Sequence, residues 1–193
     1  MTEARITGLI LAGGLARRMG GGDKGLRPFR GKPMVAHAIL RLARQVDCLI
    51  INANQNPDAY GQFGYPVIAD AISGFAGPLA GLHAGLLAAQ TPLLVTAPCD
   101  SPFLPLDLVS RLSSALAEES ADLAVAKTGD QPHPVFSLVR REVLGSLSDF
   151  LESGGRKIDR WYAALKVVEV PFPDEAAFAN INTPEELDRL ESQ

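Results

Sequence analysis

A chain of 193 residues, 47% hydrophobic and 21% charged, has the length and composition of one globular domain with a substantial core. Its net charge of −4 argues against the basic surface of a general nucleic-acid binder, and no apolar run approaches the roughly 20 residues that cross a bilayer. The two cysteines, Cys48 and Cys99, form no Cys-x-x-Cys pair, so neither a zinc site nor a disulfide framework is expected, and a reducing compartment is.

In chain order, strand-like runs alternate with helix-like ones. ITGLILA (6–12) is a short apolar run closed by glycines, the pattern of a strand buried on both faces. The run 34–46 places Met34, Ala38, Leu42 and Val46 four apart, a helical stripe. DCLIINAN (47–54) and PVIAD (66–70) read as two further strands, with Cys48 expected as a buried thiol. The segment 77–90 is helical, with small residues suited to close packing. Strand 92–100, helix 104–119 and strand 121–127 follow. The later part is less regular: strand 132–139, helix 141–153 and an edge strand over 166–172 are expected. Near the end, Thr183 caps a helix with Pro184 first and Glu186 completing a capping box. The alternation predicts an α/β fold: a single three-layer domain with a mostly parallel sheet covered by helices on both faces, and no linker or repeat.

LILAGGLARRMGGGDKGL (9–26) joins six glycines to Arg17, Arg18 and Lys24 directly after the first strand. In open parallel sheets, ligands bind outside the carboxyl ends of the strands. Glycines let backbone approach a ligand, and their N–H groups form anion-binding nests. The physical reading is a polyphosphate cradle. Gly20 to Gly25 formally matches G-x-G-x-x-G. But it begins eight residues after the strand, opens no helix, and finds Asn52 rather than an acid at the end of strand two. Gly31-Lys32 is followed by Pro33, so a P-loop is absent.

The string LAGGLARRMGGGDKGL followed by GKPM resembles the glycine-rich loop of nucleotidyltransferases with a dinucleotide-binding-like fold. IINAN, VIAD, GPLAG, APCDSPFL and NINTPEEL then follow in order. Together they resemble the molybdenum cofactor guanylyltransferases over essentially the full length. The resemblance implies a Rossmann-like nucleotidyltransferase fold, with a nucleotide half over about 1–105 and a second-substrate half over about 106–193. It implies transfer of GMP from GTP to the terminal phosphate of molybdopterin, with release of pyrophosphate.

The same resemblance implies the site. The backbone of Leu11, Ala12 and Gly13 would contact the nucleotide. Lys24 would meet the phosphates and stabilise the leaving pyrophosphate, with Arg18 beside it. Asp100, ending strand four, would bind Mg²⁺, a hard ion that prefers oxygen ligands. Asn52 and Asp70 would belong to the GTP site. A carboxylate can accept paired bonds from guanine, but base and ribose roles stay open. Asn180 and Asn182 flank Ile181 at period two and share one face if extended; they are candidates toward the second substrate or the shell of the metal, and His133 is a candidate toward the second substrate. His37, His83 and Trp161 read as ordinary packing residues. GTP and molybdopterin are the expected ligands, with transient contact to molybdoenzymes or the molybdenum-insertion enzyme. Neither nucleic acid nor membrane is an expected partner, and with no hydrophobic leader before the first charges the expected location is cytoplasmic. A CTP-dependent or sugar-phosphate relative shares the loop, a non-catalytic nucleotide-binding relative would lose Lys24 or Asp100, and an NAD enzyme needs the missing acid.

Overall fold

The structure, a computed structural model, describes residues 4–12, 23–72 and 77–191. The elements are β1 (Ile6–Leu11), β2 (Pro28–Phe29), β3 (Lys32–Pro33), α1 (Met34–Leu42), β4 (Cys48–Asn52), α2 (Pro57–Gly61), β5 (Val67–Ile68), α3 (Pro78–Ala88) and β6 (Leu93–Pro98). They continue with α4 (Leu108–Glu118), β7 (Leu123–Thr128), β8 (Gln131–Arg140), α5 (Leu144–Glu152), α6 (Ile158–Tyr162), β9 (Val167–Pro171) and α7 (Pro184–Glu191). No helix among the described residues is long and apolar enough to cross a membrane.

The main sheet has the order β5-β4-β1-β6-β8-β7-β9, and β2 and β3 form a separate hairpin. The pairs β5–β4, β4–β1, β1–β6 and β7–β9 are parallel, while β8 runs antiparallel to both β6 and β7. The chain moves one way from β1 to β4 and β5, then returns past β1 to β6. The carboxyl ends of β1 and β6 therefore form a topological switch point, where ligands bind in such sheets.

β1 explains why the sheet is buried on both faces. Ile6 and Ile10 face a cluster shared with α1, Tyr60 of α2 and α4, whereas Leu9 faces a second cluster shared with α3, α5 and α6. Helix α3 lies very close to the sheet. A β-carbon at Gly85 would come within 2.4 Å of Leu9 Cδ2 and 3.2 Å of its Cγ, and Leu9 is fully buried. Gly85→Ala is therefore expected to destabilise the fold by about 1–3 kcal/mol, more than the helix propensity of alanine offsets. A thermal melt checks this, and a midpoint at or above that of the wild type would contradict it.

Several elements differ from the sequence reading. Helix α1 stops at Leu42, not at 46, although Val46 still packs near Gly8. The expected helix 104–119 begins at Leu108, and strand 66–70 contracts to two residues. Cys48 is exposed rather than buried. It opens β4, outside the covered middle of the strand, and its Sγ lies 3.2 Å from Thr7 Oγ1. β8 is longer than expected, and its register against β7 shifts between Val125 and Ala126. Pro132 and Pro134 lack the N–H groups a regular ladder uses, which accounts for a bulge there. Trp161 is fully buried and donates from Nε1 to Ser146 Oγ, a packing residue as expected.

Candidate active site

The site is built from strand ends. Ala12 N donates to Asn52 O at 2.8 Å, and Cys99 N donates to Leu11 O at 3.0 Å. The end of β1 is thereby tied to both neighbours, at a level shared by Leu11, Asn52 and Pro98. Gly13, Arg17 and Arg18 lie outside the described residues.

Two polar groups stand at this edge. In the first, Lys24 Nζ donates to Asp100 Oδ2 and to Asn182 Oδ1, both at 2.5 Å. The Lys24 and Asp100 side chains are only 16% and 11% exposed. Asp100 caps no helix, since α4 begins eight residues later. Its neighbour Cys99 is buried, and burial pushes the thiol well above its ordinary range. That thiol stays neutral and is not a nucleophile.

Asn182 reaches Lys24 because of the segment before α7. Ile181 is fully buried against Phe29 and Met34, and its N–H donates to Asp100 O at 3.0 Å. With Ile181 pinned inward, its neighbours face the site: Asn180 Oδ1 accepts from Ser101 Oγ at 2.5 Å. The expected capping box follows directly. Thr183 Oγ1 accepts from Glu186 N at 3.2 Å, and Glu186 Oε2 accepts from Thr183 N at 3.2 Å and Asn182 N at 2.7 Å. The cap thus holds both the helix and the Asn182 backbone.

In the second group, Asp70 is gripped by two amides. Asn52 Nδ2 donates to Oδ1 at 3.0 Å and Asn54 Nδ2 donates to Oδ2 at 2.9 Å, while Asp70 N donates back to Asn54 Oδ1. Each carboxylate oxygen keeps a further lone pair for a ligand N–H. Gly81 of α3 makes room for this group, since a β-carbon there would sit 2.4 Å from Asn52 Oδ1.

His133 stands apart from both groups. It stacks on Phe178 with ring centroids 4.7 Å apart, and its Nε2 lies 2.7 Å from Thr128 Oγ1. Burial lowers its pKa. Its link to the site runs through Phe178, two residues before Asn180. His37 bonds Phe29 O and His83 lies 3.0 Å from Ser148 Oγ, in keeping with packing roles.

The sequence reading overlooked Asn54, Asp23 and Tyr60. Asn54 stood within the quoted IINAN string, and Asp23 beside Lys24. Tyr60 carried no signal, because α2 spans only five residues.

Among the described residues no group of three or more His, Cys, Asp and Glu could hold a metal ion. Asp100 offers a single carboxylate at the crevice. One carboxylate supplemented by phosphate oxygens and water suits a hard divalent ion that arrives with a polyphosphate.

Comparison with known proteins identifies the family. The profile of the MobA-like NTP transferase domain matches residues 8–168. The chain belongs to this family. It is 55% identical to a molybdenum cofactor guanylyltransferase from Cupriavidus metallidurans, over 97% of this chain and 95% of the relative. It is 56% identical to one from Cupriavidus necator, covering 94% of each. Among solved structures, molybdopterin-guanine dinucleotide biosynthesis protein A from Archaeoglobus fulgidus superposes with a TM-score of 0.81 at 25% identity, covering 96% of this chain and 97% of that one. Membership makes the chain a nucleotidyltransferase.

Proposed function

We propose that this chain transfers GMP from GTP to the terminal phosphate of molybdopterin, forming molybdopterin guanine dinucleotide and releasing pyrophosphate. A phosphate oxygen of the pterin substrate forms a bond to the α-phosphorus of GTP as the bond to the β-phosphate oxygen breaks. Chemistry of this kind relies on positioning and charge neutralisation rather than on a protein nucleophile.

The observation that carries the reading is the Lys24–Asp100–Asn182 junction at the switch point, in a chain of this family. Lys24 supplies positive charge to the leaving pyrophosphate, with Arg18 and the backbone of Leu11, Ala12 and Gly13 on the same nucleotide. Asp100 would hold Mg²⁺, which would supply neutralisation of phosphate charge. Asn52 and Asp70 hold the nucleoside, and the spare lone pairs of Asp70 match the paired donors of guanine. Asn180 and Asn182 serve the second substrate, with His133 linked to them through Phe178, so residues about 1–105 serve the nucleotide and about 106–193 the pterin. The reaction belongs to the cytoplasm, with product handed to molybdoenzymes or substrate received from the molybdenum-insertion enzyme.

Thermal shifts with Mg²⁺ and each of GTP, CTP, UTP, ATP and NAD test the reading. Ligand at 100 times its Kd stabilises by about 2.7 kcal/mol, a shift of roughly 5–11 °C for a chain of this size. GTP alone is expected to give it. A larger shift with CTP would keep the chemistry and replace the base, and a shift with NAD only would overturn the reading.

A further inference from the structure

We propose that Asp23, Tyr60 and Asn56 form a positioning clamp for Lys24, holding the loop backbone so that the ammonium reaches the point shared by Asp100 and Asn182. The clamp joins the end of the glycine-rich loop to the segment between β4 and β5. Tyr60 OH donates to Asp23 Oδ1 at 2.5 Å, and Gly25 N donates to the same oxygen at 3.1 Å. Asn56 Nδ2 donates to Oδ2 at 3.2 Å. Both oxygens of Asp23 are therefore engaged by donors from two separate parts of the chain.

The geometry leaves the backbone little freedom. A β-carbon at Gly25 would lie 2.5 Å from Tyr60 OH and 3.1 Å from Cys99 Sγ, so the chain after Lys24 is seated between these two side chains. Gly25 O also accepts from Val35 N in α1 at 2.9 Å. Tyr60 is fully buried in the core cluster. Burial and the bond to Asp23 push its phenol up, so it remains a donor at any working pH. Asn56 takes the left-handed conformation (φ 50°) that begins α2. Asp23 and Tyr60 are positioning residues: in this geometry they reach the reaction only through Lys24. A cation aimed before substrate arrives needs no reorganisation in the transition state.

This inference rests on the transfer reading for its kinetics, but its first test does not need turnover. Trace acetylation with acetic anhydride, read lysine by lysine by mass spectrometry, compares Lys24 with the exposed Lys32 and Lys157. In the wild type the doubly bonded Lys24 amine reacts slowly. Tyr60→Phe is expected to raise its reactivity relative to Lys32 by about tenfold. Asn56→Gly, which tolerates positive φ, is expected to raise it severalfold. In turnover assays Tyr60→Phe lowers kcat on the order of 10- to 100-fold with little change in KM for GTP, and adds no further loss to Lys24→Ala. Unchanged Lys24 labelling in both folded variants would overturn the clamp. So would a uniform rise at every lysine, or a multiplicative loss in the double variant. A wild type inert with GTP would sink the transfer reading while the labelling still decides the clamp. Should Tyr60→Phe not fold, Asn56→Gly decides it.

Discussion

Replacing Lys24 with alanine is expected to lower kcat by roughly 10²–10³, the usual loss for a preorganised donor aimed at developing charge. The structure gives two reasons for an effect of that size. The ammonium is largely covered, and it is held by two partners from distant parts of the chain, so its position is set before substrate binds. KM for GTP should rise less than kcat falls, because the charge on the leaving pyrophosphate grows as the bond breaks. Folding should survive, since Asp100 borders the crevice and water can replace the lost donor. Lys24→Arg keeps the charge, but a planar guanidinium does not reproduce a point donor shared by Asp100 and Asn182, so rescue should be partial. Pyrophosphate release at saturating GTP and pterin substrate is the measurement. A Lys24→Ala enzyme within tenfold of the wild type would remove Lys24 from the mechanism.

The second large effect is expected at Asp100. Asp100→Asn keeps the shape and leaves a carbonyl oxygen to accept from Lys24, so it isolates the loss of negative charge. That charge offsets the Lys24 cation and, in the proposed mechanism, would hold the divalent ion. A metal ion stabilises phosphoryl charge by several kcal/mol, so turnover should fall at least about 100-fold. The dependence on Mg²⁺ concentration should also move to higher values. Assays of pyrophosphate release across a Mg²⁺ titration test both parts. A loss of turnover without a shifted Mg²⁺ dependence would confine Asp100 to holding Lys24.

Much of the site was legible because it sits at strand ends. The apolar runs before Leu11, Asn52, Asp70 and Asp100 mark parallel strands, and polar residues just past such runs come to one edge of the sheet. The capping box at Thr183 and Glu186 was equally readable, because its chemistry is contained in four residues. Short elements such as β2, β3, α2 and α6 lack room for a period and escaped notice, and the expected strand at 66–70 shrank to the two residues of β5. Cys48 was misplaced for a related reason: an apolar run shows that a strand is buried but not where its cover ends.

The sequence alone therefore determined the α/β class, the strand-end crevice, its candidate lysine, aspartates and asparagines, and the resemblance carried by its motifs. Local periodicity and short capping or loop motifs are enough for these. Only the tertiary structure decided that β8 enters antiparallel between β6 and β7, and that Asn182 meets Lys24 across 158 residues. It likewise decided that Tyr60 grips Asp23. Such contacts depend on strand order and on helices docking through the buried Ile181 and Tyr60, and packing of that kind leaves no periodic trace along the chain.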